Sequence, residues 1–259
     1  MTGRGPRVSR PRRARWRRAL LLTGGLSLAV VLSGVLPGSG PAGHGAARGA
    51  PAGLRLAVPG ERPAGAAGRQ AALRRLEAGI AWRRSRPLGR PTAGRLVAGV
   101  QLPVEGEHFV TWDTPRRTTG NRGWRRWGTD RLVRTLLRVV REHAAAHPGA
   151  PRVVVGDLSR PHGGPFGPSF GGDGHASHQN GLDVDVYYPR RDRLERAPVR
   201  PGQIDRALAQ DLVDRFVRAG AQDVFVGPRT GLRGPRKVVW TWRNHDDHLH
   251  VRLRPPRRR

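Results

Sequence analysis

The sequence predicts an α+β fold, and three observations carry that expectation. Apolar residues recur at helical spacing over 129–147 and 204–217. Several short alternating or Val-rich stretches lie around them, bounded by Gly, Pro or Asp. These stretches do not alternate strictly with the helices, which favours a small antiparallel-rich sheet flanked by helices over a parallel βαβ array.

In chain order, a short helix is expected over 70–82 and strands over 95–102 and 108–112. The clearest helix spans 129–147. Thr129 or Asp130 can cap it, Leu132, Val133, Leu136, Leu137, Val139 and Val140 give it an apolar face, and Pro148-Gly149 stops it. A strand is expected over 153–158, then a Gly/Pro-dense loop over 161–174 and a strand over 182–188. The second helix, 204–217, carries Leu208, Leu212, Val213 and Phe216 on one face. Strands over 223–226, 237–242 and 248–253 complete the set, and no internal repeat is present.

A chain of 259 residues suits one domain with accessories. With 36 glycines and 23 prolines, much of it must be loop or linker. The absence of cysteine excludes disulfides, iron–sulfur clusters, thiolate zinc sites and a cysteine nucleophile. The net charge is +29, yet Lys237 is the only lysine, so the skew toward arginine reads first as coding bias. No nucleic-acid-binding motif accompanies the charge, and nucleic acid is not expected as a partner. Anionic wall polymers or a membrane-leaflet surface would suit it better.

Residues 1–18 hold eight arginines and no acid, and an apolar run over 19–36 follows. That order is the pattern of an export signal, cleaved or retained as an anchor, so the remainder is expected outside the cytoplasm. The expected organisation is a signal or signal anchor over 1–36, an Ala/Gly/Pro/Arg-rich linker over 37–68, a folded domain over 69–255 and a basic tail over 256–259. Membrane contact is expected only through 19–36.

Five of the ten histidines fall in two short segments. One holds His175 and His178 and runs into Asp183-Val184-Asp185-Val186; the other holds His245 and then His248-Leu249-His250-Val251. Alternate residues of a strand share a face, so Asp183 and Asp185 point one way, as do His248 and His250, with aliphatic residues opposite. Two such strands can bury their apolar faces in one core and turn ligand-type residues toward a common cleft. Imidazoles with a carboxylate suit a first-row divalent ion, most often zinc, and three protein ligands leave one position open.

The segments GDLSRPHGGPFG (156–167), GHASHQNGLDVDVYYP (174–189) and NHDDHLHVRL (244–253) make the chain resemble the penicillin-insensitive murein endopeptidases. Those belong to the wider metallopeptidase group with lysostaphin-type enzymes, D-Ala-D-Ala dipeptidases and the hedgehog signalling domain. The resemblance implies a hedgehog/DD-peptidase-like fold, with zinc ligands His178, Asp185 and His250 and a further metal-side histidine in His175. His248 and His245 would stand beside the metal in catalytic roles, with Asp247 competing for the base role. It also implies hydrolysis of the D-alanyl–meso-diaminopimelyl cross-link between peptidoglycan stem peptides by a metal-activated water. A non-catalytic zinc-stabilised wall-binding module and a D-Ala-D-Ala carboxypeptidase or dipeptidase are the alternatives.

Other signals carry less. A Ser-x-x-Lys site is excluded, because Gly234 stands three residues before the only lysine. The elbow-like Gly167-Pro168-Ser169-Phe170-Gly171 lies in a loop rather than between strand and helix. His143 and His147 have zincin spacing without the glutamate, and are expected on an exposed helix C-terminus. Trp240 and Trp242 share a strand face and suit core packing or a cleft wall equally. The 161–174 loop is expected as a mobile cleft rim, and Arg160 is a candidate for a substrate carboxylate.

Overall fold

The computed structural model describes residues 65–170 and 174–256. The expected signal, nearly all of the expected linker, residues 171–173 of the loop and all but the first residue of the basic tail lie outside them. Among the described residues, no helix is long and apolar enough to cross a membrane.

The chain runs α1 (Ala66–Ala78), β1 (Arg86–Arg90), β2 (Ala93–Val97), β3 (Val100–Gln101), β4 (Phe109–Asp113), β5 (Thr118–Thr119), β6 (Trp127–Gly128) and α2 (Asp130–Ala146). It continues through β7 (Val153–Val155), β8 (Asp183–Tyr187), α3 (Arg206–Arg218), β9 (Ala221–Val226), β10 (Val239–Thr241) and β11 (His248–Leu253). The α+β class holds. Seven strands form one sheet in the order β10-β9-β11-β8-β7-β4-β5, and only β10/β9 and β4/β7 pair parallel. Two-stranded ribbons, β1/β2 and β3/β6, stand beside it.

Helices α2 and α3 cover one face of the large sheet. Their apolar stripes meet Val184, Val186, Leu249, Val251 and Val224 in one continuous core. Each fully buried aliphatic side chain there contributes about 1.5–3 kcal/mol. Thr129 caps α2 by accepting from the Leu132 amide, and Asp205 caps α3 by accepting from Ala207 and Leu208. Along β8 and β11 the alternate side chains turn to the opposite face. That face carries Asp183, Asp185, His248 and His250, with a smaller apolar cluster of Val110, Trp112, Val154 and Tyr187 farther along the sheet.

Three expectations change. The strand over 95–102 is two strands in different sheets, because Ala98 adopts φ 50° and Gly99 follows it, so the chain turns between β2 and β3. The strand over 153–158 ends at Val155. Helix α1 lies four residues earlier at both ends than the 70–82 expected.

Candidate metal centre

Strand pairing places the two histidine segments together. β8 and β11 are antiparallel neighbours with Asp185 directly opposite His250 and Tyr187 opposite His248. His178 arrives from the turn before β8 in a left-handed conformation, φ 66°, which costs a non-glycine residue of order 1 kcal/mol. Two bonds hold it there: its amide donates to Asp183 Oδ2 at 3.0 Å, and its Nδ1–H donates to the Leu158 carbonyl. The ring's other nitrogen, Nε2, therefore faces the site. Gly181 completes the turn at φ 73°, where a Cβ would also meet the Leu96 side chain at 2.8 Å.

Three donor atoms converge. His178 Nε2 lies 3.2 Å from His250 Nδ1 and 3.3 Å from Asp185 Oδ1, and His250 Nδ1 lies 3.0 Å from Asp185 Oδ1. A tetrahedral zinc site with bonds near 2.0–2.1 Å separates its donors by about 3.3 Å, so the residues fit such an ion. All three side chains are buried. His250 donates its far nitrogen, Nε2, to Asp183 Oδ1 at 3.1 Å, a carboxylate that also accepts from Arg252 Nε at 2.7 Å. A carboxylate behind an imidazole fixes its ring and raises its basicity as a ligand.

His175 stands at the rim. Its Nε2 bonds Asp157 Oδ2 at 2.7 Å and its Nδ1 lies 3.7 Å from Asp185 Oδ2. Asp157 is itself clamped by Arg125 Nε at 2.7 Å and Asn121 Nδ2 at 2.9 Å. On the other side, His248 Nδ1 donates to Asp247 Oδ1 at 2.7 Å, and its Nε2 lies 3.7 Å from Asp185 Oδ1. The His245 ring is 4.8 Å from that of His248, with Nδ1–H donated to the Arg243 carbonyl at 2.7 Å.

Burial opposes charge throughout this site; ion pairs outweigh it at Asp185, His248 and His250, whereas burial prevails at His178 and His245. Asp185 is held well below the usual carboxylate range because His178, His248 and His250 outweigh its desolvation. Burial would lower His250, but Asp183 and Asp185 raise it to about 9. His248 is raised against its burial by Asp185 and Asp247. His245 falls to about 4, first through burial and then through repulsion from His248.

The structure thus brings together His175, His178, Asp185, His245, His248 and His250. Arg160 donates to the Pro165 carbonyl and lines an open cavity of about 1010 Å³ with Arg95 and His162. The loop over 161–174 contributes Phe166, a residue the sequence reading passed over. It is buried, with its ring 4.9 Å from that of His175 and 6.1 Å from that of His178. Asp157, Arg125 and Asn121 were also passed over. In a strand running over 153–158, Asp157 would share a face with Val153 and Val155; because β7 ends at Val155, the chain turns it into the site.

Comparison with known proteins identifies the family. Residues 87–225 match the family described as penicillin-insensitive murein endopeptidase. The chain belongs to this family. Proteins carrying that name from Salmonella heidelberg (strain SL476), Escherichia coli O1:K1 / APEC and Escherichia coli (strain SMS-3-5 / SECEC) are each 30% identical over 199 residues. The alignments cover 65% of this chain and 66% of each relative. The family match ends before His245, His248 and His250; the β8/β11 register places the last two, and the ring of His248 and the Arg243 carbonyl adjoin His245.

Proposed function

We propose that the chain is an exported zinc metallo-endopeptidase that hydrolyses the D-alanyl–meso-diaminopimelyl cross-link of peptidoglycan. The observation that carries this reading is the convergence of His178, Asp185 and His250 at 3.0–3.3 Å, flanked by two more histidines. The family membership supplies the substrate class. His178, Asp185 and His250 would hold the ion, with His175 as a rim donor. Zinc bound there would acidify a water and polarise the scissile carbonyl.

The chain's own groups account for the proton movements. His245, held neutral with Nδ1–H donated to Arg243, presents Nε2 as an acceptor for the proton of the attacking water. The same proton is delivered to the leaving amine. His248, braced by Asp247 and favoured in its charged form, points Nε2 at the reaction zone and stabilises the oxyanion. Asp247 therefore orients His248 rather than acting as the base. Asp183 and Asp157 fix the rings of His250 and His175.

The test is incubation of purified protein with cross-linked muropeptide dimers, with zinc and after strong chelation. Zinc-dependent release of monomers is expected, and His248→Ala should abolish it while the ion stays bound. Dimers left intact by the zinc-loaded protein would overturn the reading and leave a wall-binding module. Release of D-Ala alone from uncross-linked stems would make it a carboxypeptidase.

A further inference from the structure

The tryptophans beside the second histidine segment are not in the core. Trp240 is 43% exposed and Trp242 61%, at the edge of the seven-stranded sheet. The sheet register links them to the metal centre. Asp185 lies opposite His250, His250 opposite Phe225, and Phe225 opposite Trp240, so one row of side chains crosses four strands on one face. The contacts follow the row: the Phe225 ring is 5.5 Å from that of His250 and 6.1 Å, edge-on, from that of Trp242. Trp240 is anchored by its Nε1–H, which donates to Asp223 Oδ1 at 3.0 Å.

We propose that Trp240 and Trp242 form a stacking platform for the pyranose rings of a glycan strand, holding the sugars while the attached peptide reaches the metal centre. Broad indole faces suit the C–H face of a pyranose, and Asp223, on the same sheet face as Phe225, supplies carboxylate oxygens for its hydroxyls. The spacing agrees as well. Four strands place Trp240 roughly 14 Å from Asp185, and a four-residue murein stem between sugar and cross-link spans roughly 14 Å when extended. The choice of murein glycan rests on the function proposed above.

The test uses tetra-N-acetylchitotetraose, a glycan without peptide, titrated calorimetrically into the full chain. Wild type should bind it, and Trp242→Ala should weaken binding about tenfold, with Trp240→Ala close behind. Both side chains are exposed, so neither variant removes core packing. A second arm compares hydrolysis of cross-linked dimers with and without their sugars; the rate ratio should fall toward one in Trp242→Ala. No binding by wild type, undiminished binding by both variants, or equal losses on the two dimers would overturn the platform. Self-association that Trp242→Ala relieves would overturn it in favour of a second copy of the chain. Failure of wild type to cut either dimer would sink the endopeptidase reading alone, because the oligosaccharide titration still reads the platform.

Discussion

Among the described residues, two groups of two histidines and one aspartate bring their donor atoms close together, and they differ in what surrounds those donors. In the cluster of His178, His250 and Asp185 the donors stand 3.0–3.3 Å apart, and each imidazole is fixed from behind, His178 by the Leu158 carbonyl and His250 by Asp183. In the second cluster, His143 of α2 and His147 at its C-terminal cap collapse onto a single oxygen, Asp211 Oδ2, at 2.6 and 3.2 Å. Arg215 Nε donates to that same oxygen at 2.6 Å, so a cation already sits where an ion would need to. The sequence placed His143 on an exposed helix end, whereas it is 1% exposed and bonded across to α3. The mistake is a matter of position: His143 lies one turn beyond Val139 and Val140, on the stripe that α3 covers. Residue types alone do not distinguish the clusters. The arrangement of their second partners does.

The comparison can be broken most severely with one isosteric change in each cluster. Asp185→Asn should lower zinc affinity by more than the roughly 100-fold that loss of an outer partner can cost, measured by competition with a chelating indicator. Asp211→Asn should leave zinc affinity unchanged and lower unfolding stability by about 1–2 kcal/mol, measured by urea denaturation. Parallel losses of zinc from both variants would erase the distinction. Next in size, Asp183→Asn should weaken zinc binding about 10–100-fold, although it lies behind His250 rather than beside the ion.

The pH dependence sharpens the contrast further. His250 is raised to about 9 by Asp183 and Asp185 against its burial, so the metal-free ring is charged at pH 7. Zinc must displace one proton from it, and affinity should climb up to about tenfold per pH unit, levelling off near 9. In the other cluster the sign concerns folding. Burial, opposed by Asp211, lowers His143, so the unfolded chain binds the proton more readily. Its contribution to stability is therefore complete above the ordinary imidazole value and fades as the pH falls below it. Calorimetric melting across pH 5 to 8 should show that slope reduced in His143→Phe. Smallest of all, His147→Ala, at a half-buried position, should shift stability by only about 0.5 kcal/mol and leave zinc bound.

Much of the site was legible because alternation is a strict rule within a strand. His248/His250 and Asp183/Asp185 were placed on common faces correctly, and β11 runs over the residues expected. The parts that stayed hidden arise where the chain leaves regular structure. Pro87 and Gly89 disguise β1 as loop, and its pairing with β2 is fixed by tertiary context. Asp157 joins the site past the end of β7, and Phe166 folds back from a Gly/Pro loop with no periodicity to announce it. Trp240 and Trp242 were ambiguous because an edge strand and a central strand share one pattern. Only the sheet order puts β10 at the rim.

Metal content after zinc loading and desalting tests the central assignment most directly, in wild type, His178→Ala/His250→Ala and His143→Ala/His147→Ala. The account predicts one zinc per chain in wild type and in the α2 variant, and none in the variant lacking His178 and His250. An ion that leaves with His143 and His147 but stays without His178 and His250, or a wild type that takes up none, would contradict it.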